Sequence, residues 1–239
     1  MYSQFLKKKI KSIGVWGTGY IGFSTMMYYA KSSINVIGYD INSEKVNSIN
    51  NGNIPLKDLK DWFNFDIKNL VKEKNIIATN NYKDLINEDV IVHFIAIPTE
   101  KDGKPYFSIL EDVIKKISET KELKLDNPPL IIIESTLKPE SSDNIILPLL
   151  KKKGIRVGKD ILFAVAPRRD WFVEGNKSLK ELDRVFGAVD QTSKNETKEV
   201  LEIVCSKLHV ASSYKVSEMV KSIENAYRHM EITLANQLS

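Results

Sequence analysis

Residues 13–16, a short apolar run, lead directly into Gly17-Thr18-Gly19-Tyr20-Ile21-Gly22 and then into a segment with helical patterning. Strand, G-x-G-x-x-G and helix in that order restrict the fold more than any other feature of the chain. Gly17 allows the tight turn, and Gly19 lets the backbone approach a pyrophosphate. Gly22 lets the helix pack close to its strand, with the diphosphate on the helix's first N–H groups. A second apolar strand, Asn35–Tyr39, ends in Asp40, eighteen residues after Gly22. An acid at that place accepts hydrogen bonds from a ribose 2′-hydroxyl and repels a 2′-phosphate, which favours NAD over NADP. The competing reading is a glycine-rich turn in an unrelated α/β protein, with Asp40 as a helix cap.

Beyond this unit, helical and strand-like patterns alternate, predicting an α/β fold: a doubly wound, mostly parallel Rossmann-type sheet over residues 1–213. Helices are expected near 20–31, 43–50, 57–74 (with Trp62 and Phe63 packing inward), 107–121, 139–153 and 193–207. Further strands are expected at 76–79, 90–97, 129–134, 161–166, 184–189 and 209–213. The run VIVHFIAI at 90–97 is continuous, as in a strand covered on both faces. His93 within it reads as a buried, hydrogen-bonded residue rather than a catalytic one. Cys205, at helical spacing with Leu201, Val204 and Leu208, reads as a small core residue rather than a nucleophile.

With 239 residues, 42% of them hydrophobic, the chain can bury one large core. The net charge of +4 is spread out, and the KKK runs at 7–9 and 151–153 read as solvated ends, so no nucleic-acid partner is expected. One cysteine rules out an internal disulfide framework. No apolar stretch reaches the ~18 residues of a membrane span, and the N-terminus lacks a signal-peptide core. A soluble, cytoplasmic protein with no membrane partner and no metal is expected.

Residues 214–239 differ in kind. Val216, Val220, Ile223, Tyr227, Met230, Leu234 and Leu238 recur at three- and four-residue steps, predicting one long amphipathic helix. Lys221, Asn225 and Arg228 share its opposite side, as a solvated strip or a functional one. No Gly or Pro stop signal closes the helix, so the chain is expected to be unfinished. Met230, Leu234 and Leu238 would then lack cover, and self-association or a partner chain through this helix is expected.

Taken together, GVWGTGYIG, GYDINSEKVNSINNGNIP, IPT, ESTLKP, FVEG and EMVKSIENAYRHMEITLANQLS resemble, in order, the N-terminal part of the nucleotide-sugar 6-dehydrogenases. That family comprises the UDP-glucose, UDP-N-acetylhexosamine and GDP-mannose dehydrogenases. The stretch ENAYRHMEITLANQ leans toward the N-acetylhexosamine branch. The resemblance implies oxidation of a sugar C6 alcohol to a carboxylate by two hydride transfers to two NAD molecules. It implies that Gly17, Gly19, Tyr20, Ile21, Gly22 and Asp40 hold the dinucleotide, with Lys45 near the adenosine ribose. Thr99 and Thr136 would line the cofactor's other half, and Thr136 would help position the catalytic water. Glu174 would match the family's loop acid. Lys221 and Asn225 would match the helix pair that stabilises the developing oxyanion.

Two departures shape the expectation. The family usually shows Pro-Glu after the strand ending at Ala166, but here Pro167 precedes Arg168-Arg169-Asp170, so the loop is expected to grip a substrate differently. The family's cysteine nucleophile lies downstream of the long helix, as do its dimer-forming region and its nucleotide-sugar-binding domain, and Cys205 has another context. The expectation is therefore an NAD-binding portion of a UDP-sugar 6-dehydrogenase that does not complete turnover alone. The alternatives are a β-hydroxyacid-type NAD dehydrogenase and a non-catalytic NAD-binding or regulatory protein.

Overall fold

The structure is a computed structural model and describes residues 10–56, 59, 63, 66–122, 127–168 and 179–238. In chain order, β1 (Ser12–Trp16) leads to α1 (Tyr20–Lys31), and β2 (Asn35–Tyr39) to α2 (Ser43–Asn50). Next come α3 (Ile67–Lys72), β3 (Ile76–Thr79), β4 (Val90–Ile95) and the short hairpin β5 (Glu100–Lys101) and β6 (Lys104–Pro105). After α4 (Ser108–Ile117) follow β7 (Leu130–Ile133), α5 (Leu147–Lys152), β8 (Leu162–Val165) and β9 (Asp183–Ala188). The chain continues through α6 (Gln191–Glu202) and β10 (Lys207–Val210) into α7 (Tyr214–Leu238).

Eight strands form one sheet in the order β10-β9-β8-β7-β4-β1-β2-β3. Pairings are parallel except between β8 and β9, so β9 and β10 run against the rest. The chain goes from β1 outward to β2 and β3, then returns to place β4 on the other side of β1. The carboxyl ends of β1 and β4 thus form the crevice where open α/β sheets take ligands. Alternation along the strands supplies two cores. Val15, Phe23, Met26, Val92 and Phe94 pack on the α1 face. Trp16, Ile95, Leu110, Ile114 and Phe163 pack on the other.

Several expected boundaries move, each for a local reason. The expected helix over 139–153 is broken: Ser142–Ile146 forms a π-helical turn before α5, where Pro148 has no N–H to give to the preceding turn. Gly154 follows at φ +75° and ends α5. The last strand is Lys207–Val210 rather than 209–213, and the helix before it ends at Glu202. This edge strand is mostly exposed and carries no clear alternation to fix its position. The hairpin at 100–105 turns through Asp102-Gly103, both at positive φ, an Asp-Gly signal the sequence reading passed over. Of the expected helix at 57–74, α3 is described and Phe63 is buried, while Trp62 lies outside the described residues. His93 and Cys205 are both core residues. Trp16 Nε1 donates to His93 Nδ1 at 3.3 Å, and the Cys205 thiol donates to the Leu179 carbonyl at 3.2 Å. No helix among the described residues is long and apolar enough to cross a membrane.

Candidate functional site: a dinucleotide cradle at the sheet's carboxyl edge

The turn after β1 is built as its glycines require. Gly17 sits at φ +89°, and a Cβ there would lie 2.5 Å from the Ala96 carbonyl oxygen, just past β4. A Cβ on Gly22 would lie 1.8 Å from the Gly17 carbonyl oxygen, so α1 starts in direct contact with its own turn. Gly19 is the reverse: a Cβ there meets nothing within 4 Å. Gly19 faces open space at the helix N-cap, makes no side-chain cap, and no acidic residue stands in the first turn of α1. The first N–H groups of α1 and the positive end of the helix dipole therefore lie at an uncrowded position, which suits a diphosphate. Tyr20 and Ile21 complete the first turn, with Tyr20 exposed.

Asp40, at the end of β2, is the second wall. Its Oδ2 accepts hydrogen bonds from Thr18 N at 2.9 Å and Thr18 Oγ1 at 2.8 Å, and its Oδ1 accepts from Asn42 N at 2.9 Å. Lys45 Nζ stands 3.7 Å from Oδ2. Burial pushes the carboxyl pKa up, but the hydrogen bonds from Asn42 and Thr18, with Lys45, outweigh it and hold the group below the usual carboxylate range. Asp40 is thus a fixed anion that braces the turn. Asn42 caps α2 by accepting from Glu44 N and Lys45 N, which sets the direction of Lys45. Beside it, Ile41 is 82% exposed, an apolar face next to the acid. Asn80 Nδ2 donates to the Asp40 carbonyl at 2.6 Å and ties β3's end to the same place. The sequence reading missed Thr18, Asn42, Asn80 and Ile41; Thr18, inside the glycine motif, and Asn42, two residues past the acid, were the readable signals.

The other half of the crevice is formed by the ends of β4 and β7. Ser135 Oγ accepts from Ile97 N at 2.9 Å and lies 2.8 Å from the Ile97 carbonyl, pinning the two strand ends together. Thr99 Oγ1 donates to the Thr136 carbonyl at 2.5 Å, so the two threonines singled out by the sequence adjoin. Since Gly17 rests on Ala96, this pair continues from the glycine turn without a break.

The remaining candidates divide. Lys221 is half-buried and Asn225 exposed on α7. Between them, Ser222 Oγ reaches the Leu137 carbonyl at 3.5 Å, which places this part of α7 beside the residue after Thr136. Glu174, with Arg169 and Asp170, lies outside the described residues. Arg168 is turned inward and buried: its guanidinium donates to Thr25 Oγ1 at 2.6 Å and Ser24 Oγ at 3.0 Å on α1, and stands 3.6 Å from Glu134. Glu134 in turn accepts from Thr25 at 2.6 Å and from Arg184. Arg168 therefore ties the chain just past β8 to α1, with its guanidinium turned into the protein interior.

Residues 11–205 match the UDP-glucose/GDP-mannose dehydrogenase family, NAD binding domain. UDP-N-acetyl-D-mannosamine dehydrogenase of Methanocaldococcus jannaschii is 36% identical over 96% of the chain, which covers 52% of that relative. The enzyme of the same name from Pyrococcus horikoshii is 30% identical over 95% of the chain, covering 53% of the relative. The solved structure of the P. horikoshii UDP-D-ManNAc dehydrogenase superposes with a TM-score of 0.83 at 30% identity, covering 95% of this chain and 52% of that one. That of an NDP-N-acetyl-D-galactosaminuronic acid dehydrogenase from Methanosarcina mazei gives 0.79 at 28% identity, over 98% and 51%. The chain spans about half the length of the curated relatives it matches. It belongs to the UDP-glucose/GDP-mannose dehydrogenase family and carries that family's NAD-binding fold.

Proposed function

We propose that this member of the UDP-glucose/GDP-mannose dehydrogenase family is the cofactor-binding half of a UDP-N-acetylhexosamine 6-dehydrogenase. In this reading the sugar's C6 alcohol is oxidised to a carboxylate in two NAD-dependent steps. The observation that carries it is the pairing of an open, uncapped α1 N-terminus at Gly19 with the buried, hydrogen-bonded Asp40 carboxylate, continuous with Thr99 and Thr136. The names of the relatives support the substrate class.

The residues divide the work by their chemistry. The N–H groups of Gly19, Tyr20, Ile21 and Gly22 take the diphosphate, and Asp40 accepts from the adenosine ribose with Lys45 beside it. NAD supplies the hydride acceptor. Thr99 and Thr136 bound the end of the crevice where the reacting carbon sits, and the Thr136 hydroxyl orients a water. Lys221 and Asn225 donate hydrogen bonds to the sugar oxygen as its proton leaves and negative charge builds, a contribution that grows as water is excluded. Glu174 supplies a carboxylate from the segment that follows β8 in the sequence. Cys205 takes no part: it is buried and bonded to the Leu179 carbonyl. The second oxidation therefore draws its thiol nucleophile from elsewhere.

The same reading includes pairing through α7, with a second copy or with a chain carrying the substrate domain. Among the exposed apolar side chains, Val216, Met219, Ile223, Tyr227, Met230, Leu234 and Leu238 follow 3-4-4-3-4-4 spacing along one stripe.

Calorimetric titration with NAD, NADP and UDP-N-acetylhexosamines tests the proposal. NAD is expected to bind more tightly than NADP, and Asp40→Asn to weaken NAD while narrowing that preference. Absence of binding to either dinucleotide would overturn it.

A further inference from the structure

Glu218, on the first turns of α7, is 1% exposed. Its carboxylate is satisfied by the loop after Thr136. Oε2 accepts from Glu140 N at 2.9 Å, and Oε1 accepts from Ser142 N at 3.0 Å and from the Ser142 hydroxyl. That loop needs holding. Glu140 is a non-glycine residue at φ +70°, and Ser142 opens the π-helical turn, where backbone N–H groups lack helical partners. A buried carboxylate on those donors is a strong, charge-assisted clamp.

The clamp does not act alone. Tyr214 donates to Asp143 at 2.5 Å, Lys215 Nζ lies 2.5 Å from the same carboxylate, and Ser222 reaches Leu137. At 100° per residue, Lys221 and Asn225 lie within about 60° and 20° of Glu218 around the helix, one and two turns further on. We propose that Glu218 is a positioning residue: it fixes the loop carrying Thr136 in register with the α7 face that carries Lys221 and Asn225. This rests on the cofactor reading above. It adds that the nicotinamide end of the crevice, unlike the adenosine end, is shaped by α7.

That difference gives a ligand-specific test in the full chain. NAD reaches both ends of the crevice, whereas ADP occupies only the end built by Gly17–Gly22 and Asp40. In Glu218→Ala, NAD affinity is expected to fall roughly tenfold with ADP affinity within about twofold of wild type. Ser142→Ala, which removes only the hydroxyl donor, is expected to move NAD in the same direction by less and guards against a Glu218 variant that fails to fold. Hydrogen exchange at the Glu140 and Ser142 amides should speed up in Glu218→Ala. Equal weakening of NAD and ADP, or unchanged NAD, would overturn the positioning role. If wild type bound neither nucleotide, the cofactor reading would fall and take this proposal with it.

Discussion

Gly19→Ala and Gly22→Ala separate what the glycine turn does for folding from what it does for the dinucleotide. At Gly19 an added Cβ touches nothing within 4 Å and the backbone sits at φ −71°, so the free protein accepts alanine with little strain. The N-cap preference of glycine over alanine costs it about 1 kcal/mol at most. That same open space is where the diphosphate must approach to reach the α1 N–H groups. A methyl group there pushes the phosphates out of hydrogen-bond range. Losing one or two charge-assisted hydrogen bonds, each worth roughly 1.5–3 kcal/mol, weakens NAD by about 10-fold to roughly 10,000-fold or more. At Gly22 the geometry is opposite. A Cβ there lies 1.8 Å from the Gly17 carbonyl oxygen and must open to at least 3.0 Å, displacing backbone against backbone. Gly22→Ala should therefore lower both stability and NAD affinity. Urea denaturation gives the first quantity and calorimetry the second. A Gly19→Ala protein of near-wild-type stability that bound NAD as tightly as wild type would refute the placement of the diphosphate.

Two further predictions follow from groups outside the cradle. Burial pushes the His93 pKa down to about 3, so the unfolded chain takes up a proton there that the native state refuses. Stability from this residue is full above the unfolded pKa of 6.5 and is lost as pH falls from 6.5 toward 3, by about 2 kcal/mol between pH 7 and pH 5. His93→Phe should flatten that dependence in urea denaturation at the two pH values, although Trp16 loses its acceptor; an unchanged slope would count against the buried neutral imidazole. The apolar stripe of α7 predicts self-association with a dissociation constant of roughly micromolar order, since burial of several such side chains must offset the entropy of association. Sedimentation should show concentration-dependent dimers that Met230→Glu abolishes, and a wild-type monomer at every concentration would dispose of pairing between copies.

How much of this was legible in the sequence depends on the distance over which each feature is determined. The cradle was readable because its parts lie within residues 13–45 and each responds to a local demand. Gly17 needs its positive φ, Gly22 its missing Cβ, and Asp40 its place at a strand end. The sheet was readable because its central strands are continuous apolar runs. Its edge was not: β10 is mostly exposed, so nothing in the pattern fixed it two residues earlier than expected. The π-helical turn was missed because Pro148 interrupts the backbone hydrogen bonding inside an otherwise continuous helical pattern.

The polar residues that depend on tertiary contacts were the least legible. Arg168 read as a substrate-facing departure, yet its partners Ser24 and Thr25 lie more than 140 residues earlier in the chain. Glu218 was not singled out by the sequence pattern, and its partner Ser142 is 76 residues away. The end with the glycine turn is specified mostly by residues 13–45 and closes on itself through Thr18 and Asp40. The end bounded by Thr99 and Thr136 requires β4, β7 and α7 to meet, with Glu218 as the fastener. Loop closure over such separations costs entropy that only the finished packing repays. The docking of α7 should therefore open at a lower free energy than the cradle does, and the crevice is expected to order from the glycine turn toward the end bounded by Thr99 and Thr136.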